Sequence, residues 1–166
     1  EERSRLGGYV LLATGEQEAF PLYDELALLM TTSGSKGSPK LVRQSYANLA
    51  ANTASIIDYL QITPEERAIT SLPMQYVYGL SVINTHLAAG ASVVVTDKTL
   101  FDRAFWQLVK EREVTSLAGV PYTYEMLKRL RFFQQDLPAL RTLTQAGGKL
   151  APKLHEAFAS WAEATG

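Results

Sequence analysis

The chain contains no cysteine. Its absence removes disulfides, thiol nucleophiles and Cys-type zinc sites, and fits a reducing compartment. Histidine is nearly as scarce: His86 and His155 are the only two, and neither has a partner at metal-ligand spacing. The residues themselves therefore imply a packed, hydrogen-bonded His86 on an apolar helix, a surface His155 on another, and no metal held by protein side chains. No apolar run approaches the ~18 residues of a membrane span, and no basic–apolar leader opens the chain, so the expectation is a cytoplasmic protein with no membrane contact. An excess of one charge is missing too. Lys and Arg number 16 against 17 Asp and Glu, for a net charge of −1, and they are scattered rather than gathered into a stripe, which disfavours nucleic-acid binding through phosphate neutralisation.

What is present is apolar content: 46% hydrophobic and 20% charged residues over 166 positions, enough for one globular unit burying roughly two-thirds of its unfolded surface. There are no internal repeats, low-complexity segments or interior linkers, so residues 1–166 are expected to form a single unit. Tyr9 to Ala13 and Ala27 to Met30 read as strands, being short, mainly apolar runs bounded by glycine or charge, and Leu41 to Gln44 can form a returning strand. Ser45 is placed to cap a helix in which Leu49, Thr53, Ile56, Ile57 and Leu60 recur at helical spacing, so that one face should be buried. Thr63-Pro64-Glu65-Glu66 has the form of a capping box with proline at the first helical position, which predicts a short helix whose glutamates complement its dipole rather than catalyse.

From there the pattern alternates. Strands are predicted over Ala68–Leu72, Ser92–Thr96, Thr115–Ala118 and Thr142–Gln145, with helices over Val77–Ala89, Phe101–Arg112 and Tyr122–Phe133 between them. Phe101, Phe105, Leu108 and Val109 share one helical face, as do Met126, Leu127 and Leu130; Leu150, Leu154, Phe158 and Trp161 line a final helix. Such alternation predicts an α/β fold, a mainly parallel sheet flanked by helices.

The densest chemistry lies in Thr31-Thr32-Ser33-Gly34-Ser35-Lys36-Gly37-Ser38-Pro39-Lys40, which follows the apolar run Leu26 to Met30. Glycines let backbone N–H groups converge on an anion, the hydroxyls of Thr32, Ser33 and Ser35 add donors, and Lys36 and Lys40 add positive charge. A phosphate-handling loop and a solvated polar turn both use these residue types. The motif of the common nucleotide loop is not met, because Gly37 leads to Ser38-Pro39 rather than to Lys and a hydroxyl, so a kinase-like reading starts badly. A Ser-His-Asp hydrolase fares no better, since Ser33-Gly34 lacks the Gly-x-Ser-x-Gly elbow.

The stretch Thr32 to Lys40 resembles the signature loop of the AMP-forming, adenylate-forming superfamily, which includes acyl-CoA synthetases and the adenylation domains of peptide synthetases. Lys36 stands where that family most often has Thr, replacing a hydroxyl that would touch pyrophosphate or magnesium. Three further stretches are similar to the family in the same order. They are Leu72-Pro73-Met74-Gln75-Tyr76-Val77-Tyr78-Gly79, the corner Gly119-Val120-Pro121, and Leu140-Arg141 through Ala146-Gly147-Gly148-Lys149-Leu150, where the family's usual Ala-Pro after the glycines is Lys149-Leu150. The family's following Tyr-Gly-x-Thr-Glu, ribose-binding Asp and C-terminal Lys have no counterpart here. The chain thus reads as a central fragment of the large N-terminal domain of such an enzyme, expected to be inactive alone.

The resemblance implies ATP and Mg²⁺, a small carboxylic acid, and coenzyme A or the phosphopantetheine arm of an acyl-carrier protein as acceptor. It also implies roles for particular residues. Thr32, Ser33, Gly34, Ser35, Lys36, Gly37 and Lys40 would bind phosphate; Tyr76, Gly79 and Gly147 would wall the acyl pocket; Gly148, Lys149 and Leu150 would lie along adenine. No residue of the chain is expected to act as a nucleophile. The alternatives are a non-catalytic nucleotide- or partner-binding module and a phosphate-loop kinase.

Overall fold

The structure, a computed structural model, describes the backbone of residues 2–6, 9–12, 21–31 and 40–165, with side chains over 21–31 and 40–164. Two antiparallel ribbons come first. Strand β1 (Glu2–Leu6) pairs with β2 (Tyr9–Leu12), and β3 (Leu26–Thr31) pairs with β4 (Leu41–Ser45). β1 has no apolar alternation in its Glu-Arg-Ser-Arg-Leu sequence and is a strand through its pairing with β2. The second ribbon ends at the Thr31–Leu41 pair, so the Gly/Ser/Lys loop joins its two strands.

Helix α1 (Tyr46–Leu60) starts at Ser45 as its sequence predicts. The Asn48 N–H donates to Ser45 Oγ at 3.1 Å and the Ser45 N–H to Asn48 Oδ1 at 3.1 Å, a reciprocal cap that satisfies two of the helix's orphan donors. Its apolar stripe is only half covered. Leu49, Thr53, Ile56, Ile57 and Leu60 are each half-buried and no α1 residue is fully buried, because the helix packs along one other helix and the β3–β4 ribbon rather than onto the main sheet.

That sheet holds β5 (Arg67–Ile69), β6 (Ser92–Val94), β7 (Ser116–Gly119) and β8 (Thr142–Gln145), all parallel, in the order β6-β5-β7-β8. Strands β5 and β6 are shorter than the apolar runs that announce them. Beyond Ile69 a side chain replaces the ladder: Thr70 Oγ1 accepts from the Thr96 N–H at 2.9 Å and lies 3.2 Å from the Thr96 carbonyl. The connecting helices are α2 (Val77–Ala88), α3 (Arg103–Glu111) and α4 (Pro121–Arg129), with α5 (Pro152–Thr165) after β8.

Other predicted boundaries differ as well: Leu150, placed on the final helix by its spacing, precedes it, since α5 starts at Pro152. Thr63–Glu66 forms a turn closed by the Glu66 N–H on the Thr63 carbonyl at 3.0 Å, not a helix; too few residues separate Gln61, the left-handed C-cap of α1, from β5 to complete one. Helix α3 begins after Asp102 and leaves Phe101 61% exposed. Helix α4 stops at Arg129, and left-handed Arg131 (φ 57°) leads into a single 3₁₀ turn, Phe132–Gln134, that drives Phe132 into the core.

Right-handed crossovers dictate which face each helix covers. The chain leaves β5 toward β6 with α2 on one face, then returns past β5 to β7 and on to β8, placing α3 and α4 on the other. The packing agrees. Ile69 and Leu117 point into one core with Phe105 and Val109 of α3, Tyr124 and Leu127 of α4, Phe132, and Leu154 and Phe158 of α5. Phe158 stands edge-on to Tyr124 with centroids 4.9 Å apart, while Phe132 lies 4.8 Å from Trp161. Such aromatic pairs add about 0.5–1.5 kcal/mol each beyond the area they bury. On the opposite face α2 packs over β5 and β6, which leaves the surface of β7 and β8 open there.

Candidate functional site

Because the chain reverses direction at β5, a crevice forms where β5 and β7 send their connections to opposite faces, at the carboxyl ends of the strands. Parallel sheets bind ligands at such a point. After β5 the backbone runs Thr70-Ser71-Leu72-Pro73, and Ser71 Oγ donates to the Ala118 carbonyl of β7 at 2.7 Å, tying the two strand ends together. After β7 comes the Gly119-Val120-Pro121 corner: Val120 is the N-cap of α4, Pro121 opens the helix, and the Val120 N–H donates to Thr123 Oγ1 at 3.2 Å. After β8 comes Gly147, at φ 81°, whose added Cβ would meet Val120 Cγ1 at 3.2 Å; at Gly148 it would meet Pro121 Cγ at 3.2 Å. All three motif segments therefore meet at one end of the sheet.

On the face that α2 leaves open, a cleft of about 420 Å³ descends from that end between α1, α2 and the sheet. One face of α2 supplies a wall, Val77, Tyr78, Ser81, Val82, Thr85 and His86; α1 and its exit supply Ile56, Leu60 and Ile62; the sheet side is Ser116, Thr142 and Thr144. The helix runs antiparallel to the strands, so Val77, Tyr78, Gln145 and Ala146 stand at the mouth, while Glu66, His86, Ser116 and Thr142 stand at the far end.

Hydrogen bonds fix these walls. Tyr78 donates to Thr144 Oγ1 at 3.0 Å, and Tyr124 donates from the other side of the sheet to the Thr144 carbonyl at 2.8 Å. Burial pushes both phenols above their ordinary range; for Tyr78 the bond to Thr144 works in the opposite direction, and for Tyr124 the nearby Tyr78 adds to the rise. Thr85 Oγ1 lies 2.8 Å from the Ser81 carbonyl, a bond back into its own helix. Glu66 accepts from the Thr115 hydroxyl and pairs with Arg141 at 3.4 Å, a structural use of the carboxylate that the predicted helix dipole did not foresee.

The sequence-predicted residues sit as follows. Tyr76 is the N-cap of α2 and 60% exposed beside the mouth, not in the cleft wall. Gly79 is buried where an added Cβ would lie 2.3 Å from the Pro73 carbonyl oxygen, so it permits the Leu72-Pro73 segment to cross α2. Gly147, Gly148 and Lys149 are exposed together after β8, while Leu150 is half-buried against the core. Lys40 is exposed immediately before β4. Thr32, Ser33, Gly34, Ser35, Lys36 and Gly37 lie outside the described residues. His86 is buried and hydrogen-bonded, with Nδ1 2.8 Å from the Val82 carbonyl, and His155 is exposed on α5, both as predicted.

What sequence reading passed over is the wall of α2. Its signal was available: positions 77, 78, 81, 82, 85 and 86 repeat at helical spacing and place Ser, Thr and His among apolar residues.

Comparison with known proteins follows the same lines. A family model described as AMP-binding enzyme matches residues 5–164. An acyl-CoA synthetase of Alternaria alternata is 34% identical over 78% of this chain and 23% of its own length, and an indoleacetate–CoA ligase of Aromatoleum aromaticum is 36% identical over 76% and 25%. An O-succinylbenzoate coenzyme A synthetase of Bacillus subtilis, solved in complex with AMP, superposes with a TM-score of 0.71 at 27% identity, covering 82% of this chain and 28% of that one. The chain spans about a quarter of the length of the curated relatives it matches. With the motif segments gathered at the switch point of a parallel sheet and the family match running almost end to end, this chain belongs to the AMP-binding, adenylate-forming enzyme family.

Proposed function

We propose that this chain is the acid- and nucleotide-holding part of an ATP-dependent carboxylate-activating ligase. The observation that carries the reading is the convergence of the Leu72-Pro73 segment, the Gly119–Pro121 corner and the Gly147-Gly148 turn at the carboxyl ends of β5, β7 and β8, directly above an acid-sized cleft. A volume of about 420 Å³ is in the range of small-molecule pockets.

In the proposed reaction a carboxylate oxygen bonds to the α-phosphorus of ATP as the bond to the β-phosphate oxygen breaks, giving an acyl-adenylate and pyrophosphate. A thiol, from coenzyme A or a carrier phosphopantetheine, then takes the acyl group and AMP leaves. No protein nucleophile is required. The protein must align two mutually repelling anions and stabilise charge building on phosphate oxygens. The cleft orients the acid with its carboxylate at the mouth, Gly147 and Gly148 allow the nucleotide close approach, Lys149 and Leu150 run along the base, and Tyr76 borders the entrance. Thr32, Ser33, Gly34, Ser35, Lys36, Gly37 and Lys40 hold the β- and γ-phosphates.

Among the described residues no group of three or more His, Asp or Glu could hold a metal by itself. Mg²⁺ would be carried on the phosphate oxygens of ATP, as hard cations prefer oxygen ligands, and when bound it would supply charge neutralisation of the polyphosphate. The described helices include none long and apolar enough to cross a membrane, and we place the reaction in the cytoplasm.

The test is ATP–pyrophosphate exchange across a panel of carboxylic acids, with the protein that carries this chain and with the chain alone. Acid-dependent exchange by the former and none by the latter is expected. Lys40→Ala should weaken ATP binding, and Lys36→Thr should shift the Mg²⁺ dependence. Exchange with no acid at all, or γ-phosphoryl transfer without pyrophosphate release, would refute the activity.

A further inference from the structure

The far end of the cleft is polar in a way that acid activation does not require. Successive residues of a strand point to opposite faces. Leu117 enters the core beneath α3, α4 and α5, so Ser116 faces the cleft, and it is 6% exposed. Its hydroxyl has no hydrogen-bond partner among the described residues. His86, 4% exposed, lines the same end from α2. Its Nδ1 lies 2.8 Å from the Val82 carbonyl, and since a carbonyl only accepts, Nδ1 carries the proton. In that tautomer Nε2 is the ring's acceptor, and it likewise lacks a partner among the described residues. Glu66 completes the end with a carboxylate whose oxygens accept from Thr115 and Arg141 and retain further lone pairs.

Between mouth and floor the walls are mainly apolar, with Ile56, Leu60, Ile62 and Val82, while the Ser81 and Thr85 hydroxyls are bonded back into α2 and Asn52 and Tyr59 line the α1 side. From Val77 to His86 the helix advances nine residues, about 14 Å at 1.5 Å each. A ligand filling this space has an apolar body with its carboxylate at the mouth and its opposite end against acceptors and hydroxyls. A plain alkyl or phenyl end would shut the Ser116 hydroxyl and His86 Nε2 off from water without giving either a partner, and a second carboxylate would face Glu66.

We propose that the cleft selects a monocarboxylic acid bearing a neutral hydrogen-bond donor, such as a phenolic or terminal hydroxyl, at the end remote from its carboxyl, and that His86 and Ser116 read that donor. The proposal rests on the carboxylate-activation reading and names its substrate class.

The experiment compares three acids of one skeleton in ATP–pyrophosphate exchange by the protein that carries this chain: 3-(4-hydroxyphenyl)propanoate, 3-phenylpropanoate and 3-(4-methoxyphenyl)propanoate. The hydroxylated acid should have a kcat/KM ~10-fold or more above both others, because a site built to bond a substrate hydroxyl rejects analogues that lack its proton. His86→Phe and Ser116→Ala should each shrink that ratio toward one. Should either variant fail to fold, the methoxy acid in the unmodified protein decides: it keeps the oxygen but cannot donate, so its use on a par with the hydroxy acid would overturn the proposal. Equal use of the hydroxy and phenyl acids would also overturn it while leaving acid activation standing, as would a preference that survives both substitutions in folded variants. Exchange with none of the three, alongside exchange with a dicarboxylate, would overturn the substrate class alone, whereas exchange with no acid of any kind would remove both readings.

Discussion

Tyr78 and Thr144, far apart in sequence, are joined by a 3.0 Å hydrogen bond from the phenol to Oγ1 that fastens the first turn of α2 to the last-but-one residue of β8. The bond closes the mouth end of the cleft. Tyr78→Phe should cost about 1 kcal/mol, the usual net worth of an intramolecular hydrogen bond, and lower the melting temperature by a few degrees. A urea titration checks it, and an unchanged midpoint would show that the bond is not maintained in solution.

Alkaline titration should expose the same cluster. Burial raises the pKa values of Tyr78 and Tyr124 above the unfolded value near 10. Between the unfolded and folded values the native state binds more protons than the unfolded state, so stability is fully present below about pH 10 and falls as pH rises beyond it. Tyr124→Phe should flatten that fall. Absorbance of tyrosinate should show Tyr124 ionising only together with unfolding.

Two glycines should respond differently to the same added methyl. Gly79→Ala places a Cβ 2.3 Å from the Pro73 oxygen, which is backbone and cannot swing away, and should destabilise by ~1–3 kcal/mol or prevent folding, as overpacking does. Gly148→Ala meets only the Pro121 ring at 3.2 Å and should cost less in thermal melting. Equal losses would mean that the Leu72-Pro73 segment does not press on α2 as described.

Tyr76→Ala should leave stability within about 0.5 kcal/mol, since a 60% exposed side chain contributes little to packing. Any change in acid preference would then report its place at the mouth. A large drop in melting temperature would show that Tyr76 is buried in solution.

Ser45→Ala should cost about 1 kcal/mol by removing one half of the reciprocal cap on α1. Chemical denaturation measures it directly, and Ser45→Asp, which keeps an acceptor, should recover most of the loss.

The amino-acid sequence by itself determined the alternation of strand and helix, the Ser45 cap and the motif glycines, because each depends on residues within about one helical turn of one another. It announced the parallel sheet through hydrophobic periodicity, and the family through motif order. Tertiary structure decided the rest. Thr70 ends β5 by bonding to Thr96 across the sheet, the Thr63–Glu66 segment is a turn because both its ends are anchored, and Glu66 turns from a predicted helix-dipole partner into an acceptor for Thr115 and Arg141. The cleft belongs to this second class. Ser116, His86 and Glu66 are separated along the chain by strands and helices, and only the reversal of direction at β5, with α2 covering two of four strands, brings them to one end of one cavity.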